Sequence, residues 1–469
     1  MLKTLSLFAF LFSLSVNSAF AQAGTAIAVA VQKSTLPEFR DASVWKGRKG
    51  LTLFSPDAKY VAVSGKTVDV VIYDTASGVI KSKIDGTGFS AFSFSPDSKY
   101  VVAQNTADMS IEIYDTETGT KIREIRGLGN LSKITKSFGS GLINEANGVY
   151  PTAYLEMTGV PVSPDWKSVL VNKNDKEFSV FDLRTGNLRF DLEHADNNAG
   201  WETTKTVFAI LGGLAGSPAG FMLLGSVSNT QFSTDSSRLV ITNGNKFPTL
   251  WDTATGRLVA KLDSGQRVYY SAFSPDSKMV ATSDYFGMSK IWSAETGAQI
   301  VSFGSKKDRG VVVGWSKDST KIFVDPIRKG DLEAVDPRTG NALYTFGHSN
   351  PGAMLLSNDK STLATIPRKN KTVLFQLWDV ETGKMLGSVP RAKGHDTLSS
   401  FKWSPDDKYI VTIANIKEAV EIWSRNGEHL QTLQNSTFPV RFSDDGRLLA
   451  TGGKLANSSA DIGYIWEIK

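Results

Sequence analysis

Phe54-Ser55-Pro56-Asp57 and Phe94-Ser95-Pro96-Asp97 are the first two copies of a pattern that the chain repeats nine times. In each copy a Ser-x-Asp triplet is followed 16 to 21 residues later by one key position, and then usually by Asp and a Thr-Gly or Ser-Gly pair. The triplet aspartates are Asp57, Asp97, Asp165, Asp235, Asp276, Asp318, Asp359, Asp406 and Asp445. A period near 40 residues predicts units that stack on copies of themselves, because one unit cannot bury its own apolar faces.

Each part of the unit has a physical reason. Ser-Pro-Asp favours a tight turn, because Pro presets φ and the Ser and Asp side chains bond the local backbone. The alternating run Tyr60-Val61-Ala62-Val63 is typical of a strand. A Gly four or five residues after the key position allows the left-handed residue of a hairpin turn. The key position is predicted to be core; it is Val335 in the sixth unit and aromatic elsewhere, at Tyr73, Tyr114, Phe181, Trp251, Trp292, Trp378, Trp423 and Trp466.

Two segments carry a family resemblance. Trp251-Asp252-Thr253-Ala254-Thr255-Gly256 and Leu377-Trp378-Asp379-Val380-Glu381-Thr382-Gly383 resemble WD-repeat β-propellers. The Tyr and Phe residues of the early units also resemble bacterial periplasmic propellers of the Tol-associated type. The resemblance covers about residues 50–469 and implies an all-β chain forming a single closed propeller of four-stranded blades. Nine blades are favoured, and eight blades with one atypical unit are the alternative.

The family's Gly-His pair precedes the first strand in only two places, Gly347-His348 and Gly394-His395. The buried His–Ser/Thr–Trp–Asp hydrogen-bond network of the family is therefore not expected in most blades.

The chain ends are predicted to close the ring. Lys469 comes three residues after Trp466, so the ninth unit lacks an outermost strand. We expect a segment within residues 26–45 to supply that strand and to remove an exposed sheet edge. Residues 22–469 are thus predicted to form one propeller domain.

Residues 1–21 have the pattern of a cleaved signal peptide. Lys3 is the charged region, Leu5 to Val16 is a short apolar stretch, and Ala19-Phe20-Ala21 is a small-residue cleavage site. The apolar stretch is too short to span a bilayer. We therefore expect a periplasmic or secreted protein. The absence of Cys excludes disulfides, thiolate metal sites and Cys nucleophiles.

The repeat sorts the connections onto two faces. With strands labelled a to d from the axis outward, the Ser-x-Asp turns (a–b) and the Gly turns (c–d) share one face, here called the turn face. The b–c and d–a connections share the opposite face, here called the loop face. Two d–a connections are long, at about 127–153 and 196–229, and belong to adjacent blades. Long connections in compact domains are more often functional than idle.

The second insertion contains an almost wholly apolar, Gly-rich stretch, residues 207–228. Three structures fit it: a hairpin that caps the ring, a patch that docks a partner or touches a membrane, and a transmembrane helix. A closed ring disfavours the last, because blades would lie on both sides of the bilayer. The apolar residues that we predict to contact a partner are Phe208, Leu211, Phe221 and Leu223.

A second candidate surface is basic. Loop-face connections of units six to eight carry ten cations, and the whole chain has a net charge of +5. These cations are either solvated loop residues or a site for an anionic protein or envelope polymer. They are Lys306, Lys307, Arg309, Arg328, Lys329, Arg368, Lys369, Lys371, Arg391 and Lys393.

No chemistry-bearing motif stands out. The four His residues are scattered, and no zinc-protease motif, EF-hand loop or nucleophile elbow occurs. We expect no catalytic residue, metal or cofactor, and no nucleic-acid partner, because no aromatic-interleaved basic stretch is present. The leading hypothesis is a non-enzymatic periplasmic scaffold that docks a protein partner on the loop face. The alternative is a propeller enzyme, a hydrolase, lyase or quinone-dependent dehydrogenase, with an axial site.

Overall fold

The computed structural model describes residues 29–36, 52–64, 70–85, 89–105, 110–126, 162–172, 177–193, 229–242, 247–266, 268–284, 287–304, 310–326, 331–349, 351–367, 372–391, 398–414, 419–454 and 461–469. Within these ranges the chain forms 35 β-strands and no helix. The strands assemble into nine antiparallel sheets that follow one another along the chain. The nine-bladed propeller expected from the repeat is confirmed.

The blades are built in chain order, from the axis outward. Blade 1 is β2 (Thr52–Phe54), β3 (Tyr60–Ser64), β4 (Val70–Asp74) and β5 (Ile80–Ile84); blade 2 is β6 (Phe89–Phe94), β7 (Tyr100–Asn105), β8 (Ile111–Asp115) and β9 (Lys121–Ile125). Blade 3 is β10 (Ser168–Asn172), β11 (Glu177–Asp182) and β12 (Leu188–Glu193). In the described part of blade 3, an isolated antiparallel bridge between Val162 and Val169 of β10 occupies the place of the innermost strand.

The middle blades are regular. Blade 4 is β13 (Asn229–Phe232), β14 (Arg238–Thr242), β15 (Thr249–Asp252) and β16 (Leu258–Lys261); blade 5 is β17 (Val268–Phe273), β18 (Met279–Asp284), β19 (Ser289–Ser293) and β20 (Gln299–Phe303). Blade 6 is β21 (Gly310–Trp315), β22 (Ile322–Pro326), β23 (Asp331–Val335) and β24 (Ala342–Ser349).

The last blades complete the ring. Blade 7 is β25 (Pro351–Leu356), β26 (Thr362–Pro367), β27 (Val373–Asp379) and β28 (Met385–Pro390); blade 8 is β29 (Leu398–Trp403), β30 (Tyr409–Ala414), β31 (Ala419–Ser424) and β32 (His429–Gln434). Blade 9 is β33 (Ser436–Phe442), β34 (Leu448–Lys454), β35 (Asp461–Ile468) and β1 (Ala30–Leu36), the strand from the start of the chain.

The core lies between blades rather than within them. Nine hydrophobic clusters occur, and each one joins two neighbouring blades, including blade 9 to blade 1. Each key residue of strand c belongs to the cluster with the preceding blade; Tyr73 packs against blade 9 and Trp423 against blade 7. Val335 fills the same place in blade 6 and is 3% exposed. The predicted core role of these positions is confirmed.

Several tryptophans form part of the hydrogen-bond network that the WD-repeat resemblance implies. In four blades the indole Nε1 donates to a Thr on strand b: Trp292 to Thr282, Trp378 to Thr365, Trp423 to Thr412 and Trp466 to Thr451, at 2.8–3.0 Å. In blade 4 the indole of Trp251 donates instead to Thr249 of its own strand. The Trp–Thr part of the network is thus more widespread than the scarcity of Gly-His pairs suggested.

Strand β1 closes the ring as expected. It pairs antiparallel with β35, with Gln32 opposite Trp466. The amide of Gln431 in blade 8 accepts from the N–H of Ala30 at 2.8 Å and donates to its carbonyl at 2.9 Å. On the other side, the Ser34 hydroxyl donates to the Thr75 carbonyl of blade 1 at 2.9 Å. One strand therefore ties three blades together.

Candidate functional site

Most of the predicted contact residues lie outside the described residues. Arg391 is the exception, since it directly follows β28. Its backbone N–H donates to the Thr372 carbonyl at 2.8 Å, which fixes the start of the loop that follows. The residues outside the described part are Lys306, Lys307, Arg309, Arg328, Lys329, Arg368, Lys369, Lys371, Lys393, Phe208, Leu211, Phe221 and Leu223.

The turn face is built on side chains that serve the turns themselves. In blade 1 the Ser55 hydroxyl donates to Asp57 Oδ1 at 2.7 Å and accepts from the Tyr60 N–H at 2.9 Å. The same carboxylate oxygen accepts from the Lys59 N–H at 3.1 Å. The Ser-to-Asp bond recurs in all nine turns at 2.5–2.7 Å. The predicted structural role of the triplets is confirmed.

These bonds favour the ionised carboxylate. The Ser316 hydroxyl, with smaller contributions from Thr320, lowers the pKa of Asp318 to about 2, although burial acts in the opposite direction. The Ser95 hydroxyl is likewise the main cause of the lowered pKa of Asp97. A turn aspartate with a lowered pKa is a permanent anion at neutral pH and is poorly suited to proton transfer.

A second set of hydrogen bonds joins neighbouring turns and forms what we call the inter-blade belt. The residue after each triplet Asp has a positive φ, between 56° and 71°. At five junctions its side chain accepts a backbone N–H from the preceding blade's turn. The pairs are Asp57 N–H to Ser98, Asp165 N–H to Ser236, Asp235 N–H to Ser277, Asp276 N–H to Ser319 and Asp359 N–H to Asp407, at 2.7–3.2 Å.

The belt is interrupted where that residue carries no acceptor. The four positions concerned are Ala58, Trp166, Lys360 and Gly446. Our reading of the sequence missed the belt, although a signal is present: Ser-x-Asp-Ser occurs at 95–98, 233–236, 274–277 and 316–319. Serine has no intrinsic preference for the left-handed conformation, so a serine that recurs at such a position indicates a contact made by its side chain.

Farther from the axis, side chains bridge several junctions. The third residue after the triplet Asp reaches the Gly turn of the next blade: Tyr60 Oη donates to Glu117 Oε1 at 2.6 Å, and Lys321 Nζ donates to Glu381 at 2.8 Å. Arg238 Nε donates to the Ala294 carbonyl at 3.0 Å. These contacts use polar groups of the turn face to hold blades in register.

One cleft of about 520 Å³ opens on the turn face around blade 5. Its lining includes Arg238 of blade 4, Lys278, Met279, Glu295 and Ile300 of blade 5, and Arg338 of blade 6. Among the described residues, no group of three His, Asp or Glu side chains is placed to hold a metal ion. The same part of the chain has no helix long and apolar enough to cross a membrane.

Comparison with known proteins supports the fold. No family model matches the chain. Autophagy-related protein 16 of Arabidopsis thaliana is 26% identical over 246 residues, which are 49% of this chain and 46% of that protein. WD repeat-containing protein SL1-17 of Schistosoma mansoni is 27% identical over 139 residues, 29% of this chain and 45% of that protein. The chain thus spans less than half the length of both relatives.

A crystal structure of a eukaryotic initiation factor is similar with a TM-score of 0.56 at 13% identity, over 85% of this chain and 90% of that one. At this identity the similarity shows the fold alone. The ninefold repeat and the ring of nine blades make the described chain a β-propeller, and part of its sequence is similar to a WD repeat-containing protein.

Proposed function

We propose that the chain is a non-enzymatic interaction scaffold of the cell envelope that docks a protein partner through its loop face. The proposal rests on the positions at which the two long insertions leave the ring. Strands β9 and β12 are the outermost strands of adjacent blades, and both start at a Gly turn, so both end at the loop face. The segments that follow, 127–161 and 194–228, leave from those ends.

The turn face and the loop face differ in what their residues do, and this difference supports the same function. Ser and Asp side chains of the turn face are used in turns, the belt and the bridges between blades, so they hold the ring together. A rigid ring that carries its longest connections on one face is a common arrangement for recognition. We expect the basic residues of units six to eight on the same face, and Arg391, which directly follows β28, is the one among them that the structure describes.

Deletion of residues 201–228 tests the role of the second insertion. The tagged full chain and the deletion variant are each purified from envelope extracts, and the co-purifying proteins are compared. We expect a partner present with the full chain to be lost with the deletion. Circular dichroism must show the same β-signal and melting temperature for both proteins. Retention of every partner by the folded deletion variant would contradict the proposal.

Charge reversal tests the basic loops. Lys306→Glu with Lys307→Glu should weaken capture of the same partner, and raising the salt concentration should weaken capture by the unchanged chain. Lys59→Glu with Lys99→Glu is the matched control on the turn face and should leave capture unchanged. Equal losses from both pairs would indicate a nonspecific charge effect rather than a docking site.

The envelope location is a separate part of the proposal and rests on residues 1–21. Cell fractionation should place a protein that begins near Gln22 in the periplasmic or secreted fraction. Ala19→Arg with Ala21→Arg should block processing, because the cleavage site requires small residues. A full-length protein in the cytoplasmic fraction would refute the location without bearing on the docking face.

A further inference from the structure

Within the described residues, no side-chain pair bridges the junction between blades 5 and 6 as Tyr60–Glu117 and Lys321–Glu381 bridge two other junctions. Met279 is the third residue after the triplet Asp of blade 5, the position that Tyr60 occupies in blade 1 and Lys321 in blade 6. Arg338 is the third residue of the next Gly turn, where Glu117 and Glu381 stand in blades 2 and 7. A thioether cannot form an ion pair with a guanidinium, and Met279 is buried, with 5% of its surface exposed. The 520 Å³ cleft lies where the bridge is missing.

Two cations of this cleft form no ion pair with any residue that the structure describes. Arg338 is exposed and, within the described chain, its side chain makes no ion pair. In four other turns, the cation two residues after the triplet Asp forms an ion pair with that Asp. Lys278 occupies the same position in blade 5. No such pair joins Lys278 to Asp276 in the described structure. Both cations are therefore available to an anionic group in the cleft.

The rest of the lining defines a mixed surface. Arg238 is already held, because its Nη1 lies 2.7 Å from Asp252 and its Nε bonds the Ala294 carbonyl. Ile300 is apolar and 41% exposed, and it lines the cleft together with the buried Met279. Glu295 and Asp276 are exposed acids on the same cleft. A polyanion or an anionic membrane would be repelled by Glu295 and would make no apolar contact with Ile300. A peptide can contact the two cations, the apolar Ile300 and the acidic Glu295 together.

We propose that this cleft binds an extended peptide segment in which one acidic side chain is flanked by aliphatic side chains. The peptide carboxylate takes the place of the missing bridge and meets Arg338 and Lys278. A flanking aliphatic side chain covers Ile300 and the edge of Met279, and a peptide N–H faces Glu295. The site lies on the turn face, so it is independent of the proposed docking on the loop face.

Fluorescence anisotropy with the full chain tests the site. The probe is fluorescein-labelled Gly-Ser-Leu-Glu-Leu-Ser-Gly, and the matched probe carries Gln in place of Glu. We expect the Glu probe to bind below about 1 mM, and the Gln probe to bind at least about fivefold more weakly. No binding of the Glu probe at about 1 mM, or equal binding of the two probes, would overturn the proposal.

Variants locate the binding. Arg338→Glu should weaken the Glu probe about tenfold or more, whereas Arg184→Glu, at the same turn position of blade 3, should not change its affinity. The double variant Met279→Lys with Arg338→Glu copies the Lys321–Glu381 bridge and should close the cleft and abolish binding. Arg338→Gln repeats the test with a milder change if charge reversal disturbs folding. Equal effects of the Arg184 and Arg338 changes would overturn the assignment.

Discussion

Replacing Asp407 by alanine should weaken the junction between blades 7 and 8 more than any other change in the inter-blade belt. Asp407 is 3% exposed and has a φ of 58°. Its Oδ1 accepts from the N–H of Asn358 at 2.8 Å and from Asn358 Nδ2 at 2.9 Å, and its Oδ2 accepts from the N–H of Asp359 at 2.7 Å. Elsewhere in the belt a serine provides a single acceptor.

The magnitude follows from these contacts. A hydrogen bond to a charged acceptor contributes about 1.5–3 kcal/mol, and three bonds to one side chain are not additive. Alanine also lacks the local bonds by which Asp tolerates a left-handed conformation. Removing the carboxylate leaves three neutral N–H donors without this acceptor, and each buried donor left unsatisfied costs about 1–3 kcal/mol, so we expect Asp407→Ala to cost about 3–5 kcal/mol in total. Asp407→Ser keeps one acceptor, as in the other linked turns, and should cost about 1–2 kcal/mol.

Urea unfolding followed by tryptophan fluorescence measures these differences in the free energy of unfolding. Lys360→Ala is the matched control, because Lys360 occupies the same left-handed turn position in blade 7 and takes no part in the belt. Its change should stay within about 0.5 kcal/mol. The reasoning is refuted if Asp407→Ala costs no more than Lys360→Ala, or if Asp407→Ser is as damaging as Asp407→Ala.

Three further outcomes are expected from the same contacts. Ala58→Ser should raise the free energy of unfolding by about 0.5–1 kcal/mol, because the new hydroxyl can accept the Asp445 N–H at the junction that closes the ring; an unchanged urea midpoint would count against this. Thr412→Val should lower it by about 1–2 kcal/mol, because the indole N–H of Trp423 loses its acceptor, whereas Thr412→Ser should cost less in the same titration. The folded pKa of Asp318, about 2, lies below the unfolded value of about 3.9, so its contribution to stability is complete above pH 4 and is lost as the pH falls toward 2. Ser316→Ala should flatten that part of the acid-unfolding curve. An unaltered curve would contradict the Ser316 hydroxyl as the cause of the lowered pKa.

The regular part of the fold was predictable because its signals are local and recur. A Ser-x-Asp turn, an alternating strand and a Gly turn each follow from a few adjacent residues; the nine copies favoured nine blades over eight, and the structure confirms nine. Ring closure by a strand from residues 26–45 was also predicted, and the pairing of β1 with β35 confirms it. The candidate loop-face residues remain predictions, with Arg391 alone among the described residues.

The contacts between blades were decided by tertiary structure. The sequence by itself determined the repeat, the key core positions and the sorting of connections onto two faces. It did not show that Ser277 accepts a hydrogen bond from Asp235, or that Met279 faces Arg338 across an open junction. Those partners belong to different units, and their meeting depends on how the twist of each blade aligns it with the next. That alignment is a property of the closed ring, and a single repeat does not encode it.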